Sequence, residues 1–136
     1  MSSKNKFSDS SAKSYSQALY ELSFEEKNLN DVEKNVTSLL QLISQSEDFN
    51  SLIKDPTNKQ EDQLNVINII FEKFILNNLL KKFFNFLVMK RRFFYVEKIL
   101  KDFVMICSKN RNEISAKLTV AKELNENEIN KIKNDL

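Results

Sequence analysis

Apolar residues recur along the chain with a helical period from Ser11 to about Lys109, and with a period of 2 for a short stretch beyond it. Tyr15, Ala18, Leu19 and Leu22 stand at i, i+3, i+4 and i+7, lining one face of a first helix that runs from Ser11 to near Glu26. Asn30, with Glu33 three residues on, predicts the capped start of a second helix striped by Val32, Val36, Leu39, Leu40 and Ile43. A short third helix carries Phe49, Leu52 and Ile53. It stops at Asp55, because Pro56 disfavours helical geometry in the residue before it. Thr57 and Gln60 form the next expected capping box, opening a fourth helix with Leu64, Ile67, Ile70, Phe71 and Phe74 on its buried face. Asn77 and Asn78 mark the break before a fifth helix. Its Leu79, Leu80, Phe83, Phe86 and Leu87 cover an arc wide enough to need more than one neighbour. A sixth, expected to be the longest, starts near Arg92 and presents Val96, Ile99, Leu100, Phe103, Ile106 and Cys107.

After Ser108–Asn112 the alternation of Ile114, Ala116, Leu118 and Val120 with Ser115, Lys117 and Thr119 predicts a strand over 114–120. Asn125 and Glu128 then predict the cap of a last helix, 125–136, with Ile129, Ile132 and Leu136 on one face and Leu124 stapled against Ile129. One strand and one helix cannot bury their apolar faces alone. The fold expected is therefore all-α: a flexible N-terminus (1–10), a six-helix bundle (11–110), and a partial βα segment (111–136) that begins a second domain.

Composition narrows the chemistry. The 136 residues suffice for one domain with a hydrophobic core. They include eleven Phe and no Gly, which excludes the standard phosphate loop and the dinucleotide fingerprint. No His is present, removing the usual zinc ligand and general base. The single Cys107 forms no intrachain disulfide and, on the apolar seam, is expected in the core; the fold needs no oxidising compartment. The paired acids Glu25 and Glu26, Glu61 and Asp62, and Glu126 and Glu128 fit helix-start positions better than catalytic pairs. No catalytic, cofactor-binding or metal-binding residue is expected. The N-terminus has cations with no apolar core behind them, so a secretory signal is not expected. No apolar run approaches the roughly 20 residues of a membrane-spanning helix.

Lys90, Arg91 and Arg92 sit between two of the most apolar runs in the chain. With 21 basic and 19 acidic residues the net charge is only +2, so these cations are expected at a solvated helix-to-helix corner. The alternative is a helical module that binds RNA or an anionic membrane surface through Lys81, Lys82, Lys90, Arg91 and Arg92. Salt separates the two, since phosphate-driven binding weakens steeply with ionic strength.

Five segments in succession, "SYSQALYELS", "LNDVEKNV", "LIKDPTNKQEDQLNVI", "FFNFLVMKRRFFYVEKILKDF" and "ISAKLTVAKELNENEINKI", resemble the delta subunit of the F-type ATP synthase, the OSCP family. Tyr15, Ala18 and Leu19 match its Tyr-x-x-Ala-Leu, and Pro56 the proline after its third helix. Asn85, Phe86, Leu87, Arg92, Ile99 and Phe103 match its Asn-Phe-Leu, basic corner and long helix. The likeness spans about residues 12–136. It implies a non-catalytic stator subunit without cofactor, substrate or nucleic-acid partner. Such a subunit links the F1 head to the peripheral stalk; with no convincing transit segment at the N-terminus, the location expected is the cytoplasmic side of a bacterial cell inner membrane. It also implies a groove between the first and fifth helices for the amphipathic N-terminal helix of an alpha subunit. Tyr15, Ala18, Leu19 and Leu22 would line one side, and Phe83, Phe86 and Leu87 the other. The b subunits would bind a completed C-terminal domain, which relatives carry beyond the point where this chain stops, so a truncated form is expected. Many relatives have glycine at the basic corner; here Lys90 or Arg91 must bend without it.

Overall fold

The computed structural model describes the backbone of residues 2–135 and the side chains of residues 11–128, 130 and 131. Its helices are α1 (Ser2–Glu25), α2 (Leu29–Gln45), α3 (Glu47–Lys54), α4 (Gln60–Lys73), α5 (Asn78–Met89) and α6 (Val96–Asp135), with a 3-10 turn at Phe93–Tyr95. The protein is all-α, and no strand occurs among the described residues. Two compact units are present, residues 1–106 and 107–136. The backbone is helical from Ser2, upstream of the expected start at Ser11. The side chains of residues 1–10 lie outside the described ones, and the expected flexible lead-in lies with them.

In the first unit the stripes close on one another. Val32, Val36, Leu39 and Ile43 of α2, Ile67 and Phe71 of α4, Leu80, Phe84 and Leu87 of α5, and Val96, Ile99, Leu100 and Phe103 of α6 are all buried. The fully buried Phe84 sits 5.2 Å from the Phe71 ring centroid and 5.9 Å from that of Phe93, both edge to face. Each such pair contributes about 0.5–1.5 kcal/mol beyond its area.

α1 packs differently from expectation. Its buried residues are Ala12, Ser16, Leu19 and Ser23, so of the predicted stripe only Leu19 faces the core. Ser16 Oγ lies 2.7 Å from its own-helix carbonyl at Ala12 and 2.8 Å from the Ile99 carbonyl of α6. Ser23 Oγ donates to the Leu19 carbonyl at 2.7 Å. A serine that returns its hydroxyl to the i−4 carbonyl is a satisfied, small buried residue. The core therefore accepts a face of α1 made of small residues and Leu19, while Tyr15 and Leu22 are left nearer the surface.

Three helices end in the same turn. After α1, Lys27 N–H donates to the Phe24 carbonyl (3.1 Å) and Asn28 N–H to that of Ser23 (2.9 Å). After α4, Ile75 donates to Glu72 (3.4 Å) and Leu76 to Phe71 (3.0 Å). After α5, Arg91 donates to Val88 (3.0 Å) and Arg92 to Leu87 (2.8 Å). This double closure is the Schellman motif, whose C′ residue is left-handed and usually glycine. Here Lys27 (φ 59), Ile75 (φ 51) and Arg91 (φ 57) hold that conformation without it. At the basic corner, then, Arg91 makes the bend, while Lys90 stays at φ −85.

The capping pattern departs from expectation in two places. α2 starts at Leu29 behind Asn28, which makes no side-chain cap bond, because the Lys27 turn delivers the chain directly into the helix. At α4 the Thr57 amide and hydroxyl donate instead to Asp55 Oδ1 (2.9 and 2.7 Å), and Lys59 becomes the cap residue. Ser46 caps α3 by accepting from the Phe49 N–H, and Asn77 caps α5 by accepting from that of Leu79. The Asn77 N–H donates in turn to Asn35 Oδ1 of α2 at 2.7 Å. Phe74, expected inside, is exposed and closes α4 as its cap residue; Phe94, on the 3-10 turn, is exposed as well. The acids Glu25, Glu126 and Glu128 do not start helices: Glu25 ends α1 and the other two lie within α6, whereas Glu61 and Asp62 do occupy the first turn of α4.

The predicted strand 114–120 and capped helix 125–136 are replaced by one continuous helix, since α6 runs unbroken to Asp135. Ile114, Leu118, Val120 and Leu124 are exposed along it. A lone alternating segment has no neighbouring strand among the described residues to pair its amides and carbonyls. A helix satisfies them within the segment itself. Leu124 makes no staple at a helix start, and the face drawn through Ile129, Ile132 and Leu136 lies outside the described side chains.

Candidate functional site

α1 and α5 meet at the surface through two aromatic rings. Tyr15 and Phe86 stand 6.2 Å apart, centroid to centroid, at 66°. Tyr15 is half-buried, Phe86 is 46% exposed and Leu22 is 44% exposed, with Ala18 exposed between Tyr15 and Leu22 along α1. Leu19 and Leu87, both at 0%, and the buried Phe83 lie on the inner sides of the same two helices. The seven predicted residues thus divide into an outer set (Tyr15, Ala18, Leu22, Phe86) and an inner set (Leu19, Phe83, Leu87). The division follows from the inward turn of Ser16 and Ser23, which rotates Leu22 and Ala18 toward solvent.

Lys90 Nζ lies 5.9 Å from the Phe86 centroid, within cation–π range, and adds a cation to this surface. Lys82 is exposed one helical turn before Phe86. Arg91 instead lines an open cavity of about 350 Å³ with Ile53, Gln60, Val88, Phe93 and Phe94. Lys90 and Arg91 therefore attend two different neighbourhoods, one aromatic surface and one cavity, where a phosphate-tracking surface needs its cations joined.

Shifted titrations lie elsewhere. Asp55 is lowered by the Thr57 hydroxyl and amide it accepts from. Glu97 is held below the ordinary glutamate value chiefly by the Lys101 ammonium at 3.0 Å, with burial opposing and Lys54 at 3.3 Å assisting. Both belong to turn and helix-pairing contacts. Among the described residues no cluster of His, Cys, Asp and Glu could hold a metal ion, and Cys107 is buried. No described helix is long and apolar enough to cross a membrane.

The chain's residues 12–136 match the family profile described as ATP synthase delta (OSCP) subunit. The chain belongs to that family. Over 135 residues it is 60% identical to ATP synthase subunit delta of Pelagibacter ubique (strain HTCC1062), covering 98% of this chain and 73% of the relative. It is 34% identical over 122 residues to the subunit delta of Brucella ovis (strain ATCC 25840 / 63/290 / NCTC 10512), covering 90% of this chain and 66% of that one. OSCP-family subunits are structural, non-catalytic parts of the synthase's peripheral stalk, so their membrane location comes from association with the complex. A function of that kind asks for surfaces and not for an active site, which directs attention to the α1–α5 surface. Sequence reasoning named its residues but not its exposed half. The missed signal was the serine pair at Ser16 and Ser23, spaced to share the face of Ala12 and Leu19.

Proposed function

We propose that this chain acts as a stator subunit, gripping the F1 head through the trough between α1 and α5, where the amphipathic N-terminal helix of an alpha subunit docks. The observation that carries the reading is the Tyr15–Phe86 pair. Two aromatic rings in edge-to-face contact are left partly open to solvent, beside an exposed Leu22 and over the buried Leu19 and Leu87. Apolar side chains gathered into one patch with a polar rim, more than single exposed ones, mark surfaces that take a partner. Helix-in-groove recognition uses anchors at i, i+3, i+4 and i+7, and aromatic residues contribute most of its affinity. The domain division expected from sequence fits this role: the bundle (11–110) grips the head, and the segment 111–136 leads toward the b subunits of the stalk. The site of action is the cytoplasmic face of the cell inner membrane.

A peptide of the cognate alpha subunit's N-terminus, titrated into isotope-labelled protein, tests the docking. Tyr15, Ala18, Leu22 and Phe86 are expected to show the largest shifts, and Phe86→Ala to weaken binding at least tenfold, about 1.4 kcal/mol. No binding, or shifts confined to α2, α3 and α4, refutes the reading. Affinity that collapses between 50 and 200 mM salt would favour the phosphate-binding alternative instead.

A further inference from the structure

The α1–α5 surface is flanked by charges of opposite sign. On α1, Tyr15, Ala18 and Glu21 step in threes, each step moving about 60° round the helix, from the ring that touches Phe86 out to an exposed acid. Leu22 and the exposed Glu25 repeat the step one turn on. Lys13, five residues before Ala18, falls on another face of α1. Lys82 on α5 and Lys90, its C-cap residue, are both exposed and lie at i−4 and i+4 from Phe86, on its own face. Among the described residues none of these four charges is taken up in an ion pair, although Glu21 accepts a hydrogen bond from Gln17 and Lys90 stands over Phe86.

An apolar stripe by itself fixes little about which way round a guest helix lies. Turning the guest end for end keeps the same stripe against the floor and exchanges only its two flanks. Flanking charge is what distinguishes the two poses. We infer that the acidic rim (Glu21, Glu25) and the basic rim (Lys82, Lys90) set the N-to-C direction of the docked helix, selecting a guest with cations on its α1-facing flank and anions on its α5-facing flank. This rests on the docking proposed above. Rim charges of this kind act on orientation and register more than on raw affinity.

The test uses two designed helical peptides with one apolar face, one carrying Glu along the left flank and Lys along the right, the other with the flanks exchanged. Each bears a nitroxide at its N-terminus, and the readout is broadening at Leu79 and Met89, near opposite ends of α5. At low salt the two peptides are expected to broaden opposite ends, by at least about fivefold over the other end. In the variant Glu21→Lys, Glu25→Lys, Lys82→Glu, Lys90→Glu, the pattern should reverse. Near 1 M salt, where the screening length falls to about 3 Å, each preference should fade. If both peptides broaden the same end, or both ends equally, the rims do not set direction and the inference is wrong, while the trough survives. If neither peptide nor the alpha-subunit peptide shifts Tyr15 or Phe86, docking itself fails and the inference falls with it.

Discussion

Ile75 tests how a chain without glycine closes its helices. A β-branched residue is among the least suited to a left-handed position, yet Ile75 holds φ 51 at the end of α4. The left-handed conformation costs an L-residue roughly 1–2 kcal/mol that glycine does not bear. Glycine in turn loses more freedom on folding, by roughly 0.5–1 kcal/mol. The side chain itself is 89% exposed, so its removal forfeits only about a tenth of the 1.5–3 kcal/mol of a fully buried isoleucine, roughly 0.2–0.3 kcal/mol. Ile75→Gly is therefore expected to stabilise the bundle by about 0.5 kcal/mol.

Near the unfolding midpoint that is a rise of roughly 2–4 °C for a unit of this size. Thermal and urea unfolding followed by circular dichroism would measure it. Two companion variants isolate the cause. Ile75→Ala keeps the Cβ that creates the clash and should gain little. Ile75→Asn, whose short amide tolerates the left-handed region, should fall between Ala and Gly. An order of Ala above Gly, or a glycine variant no more stable than the parent, would refute the reasoning. Lys27→Gly and Arg91→Gly should each add a smaller gain, since neither side chain is β-branched. The three turns close different helices, so the gains should sum.

Two further outcomes follow from single contacts. Ser16→Ala removes the hydroxyl that reaches the Ile99 carbonyl, tying α1 to α6, and should cost about 1 kcal/mol in urea unfolding while leaving helix content unchanged. A variant as stable as the parent would mean that the bond to α6 adds nothing beyond the one to Ala12. Glu97 joins α6 to the end of α3 through Lys54 and has a lowered pKa, so its contribution is fully present above the ordinary glutamate range and is lost as pH falls through the folded-state value. Glu97→Gln should therefore flatten the acid limb of the stability curve in that window and change little at pH 2; an unchanged acid limb would rule this out.

Much of the bundle was legible because its helices obey the periodic rule with large residues. Val32, Val36, Leu39 and Ile43 are all buried, and Pro56 ends α3 where its steric demand requires, with Asp55 extended at ψ 114. The misreadings share a cause, which is that backbone groups found partners no pattern of apolar positions records. Asp55 took Thr57 away from its capping box, the Lys27 turn made the Asn30 cap superfluous, and the serines of α1 served as core residues. At 114–120 the alternation was real but described side chains only. Backbone hydrogen bonding decided the conformation, and the helix could supply it locally.

The candidate trough was half legible for a related reason. Period alone places Phe83, Phe86 and Leu87 in one stripe and cannot say that the arc is wider than the core needs. Core demand is set by the neighbours. Where α1 offers Ala12, Ser16 and Ser23, the inward face is narrow, and among its described residues Leu19 is the one large side chain it buries. Tyr15, Leu22 and Phe86 then become surplus to the bundle's own packing. A stripe with more apolar residues than its core can use has the same pattern as one that is fully buried; the small residues opposite are what tell them apart. The surface left over by this mismatch is the one for which a partner helix is proposed, and a larger residue at the same position, Ser16→Leu, tests that dependence. A larger residue there should push α1 away from α6 and disturb the Tyr15–Phe86 contact, weakening the alpha-subunit peptide although Ser16 is buried beneath the proposed site. Unchanged peptide affinity in a folded Ser16→Leu variant would show that the trough does not depend on the close packing of α1.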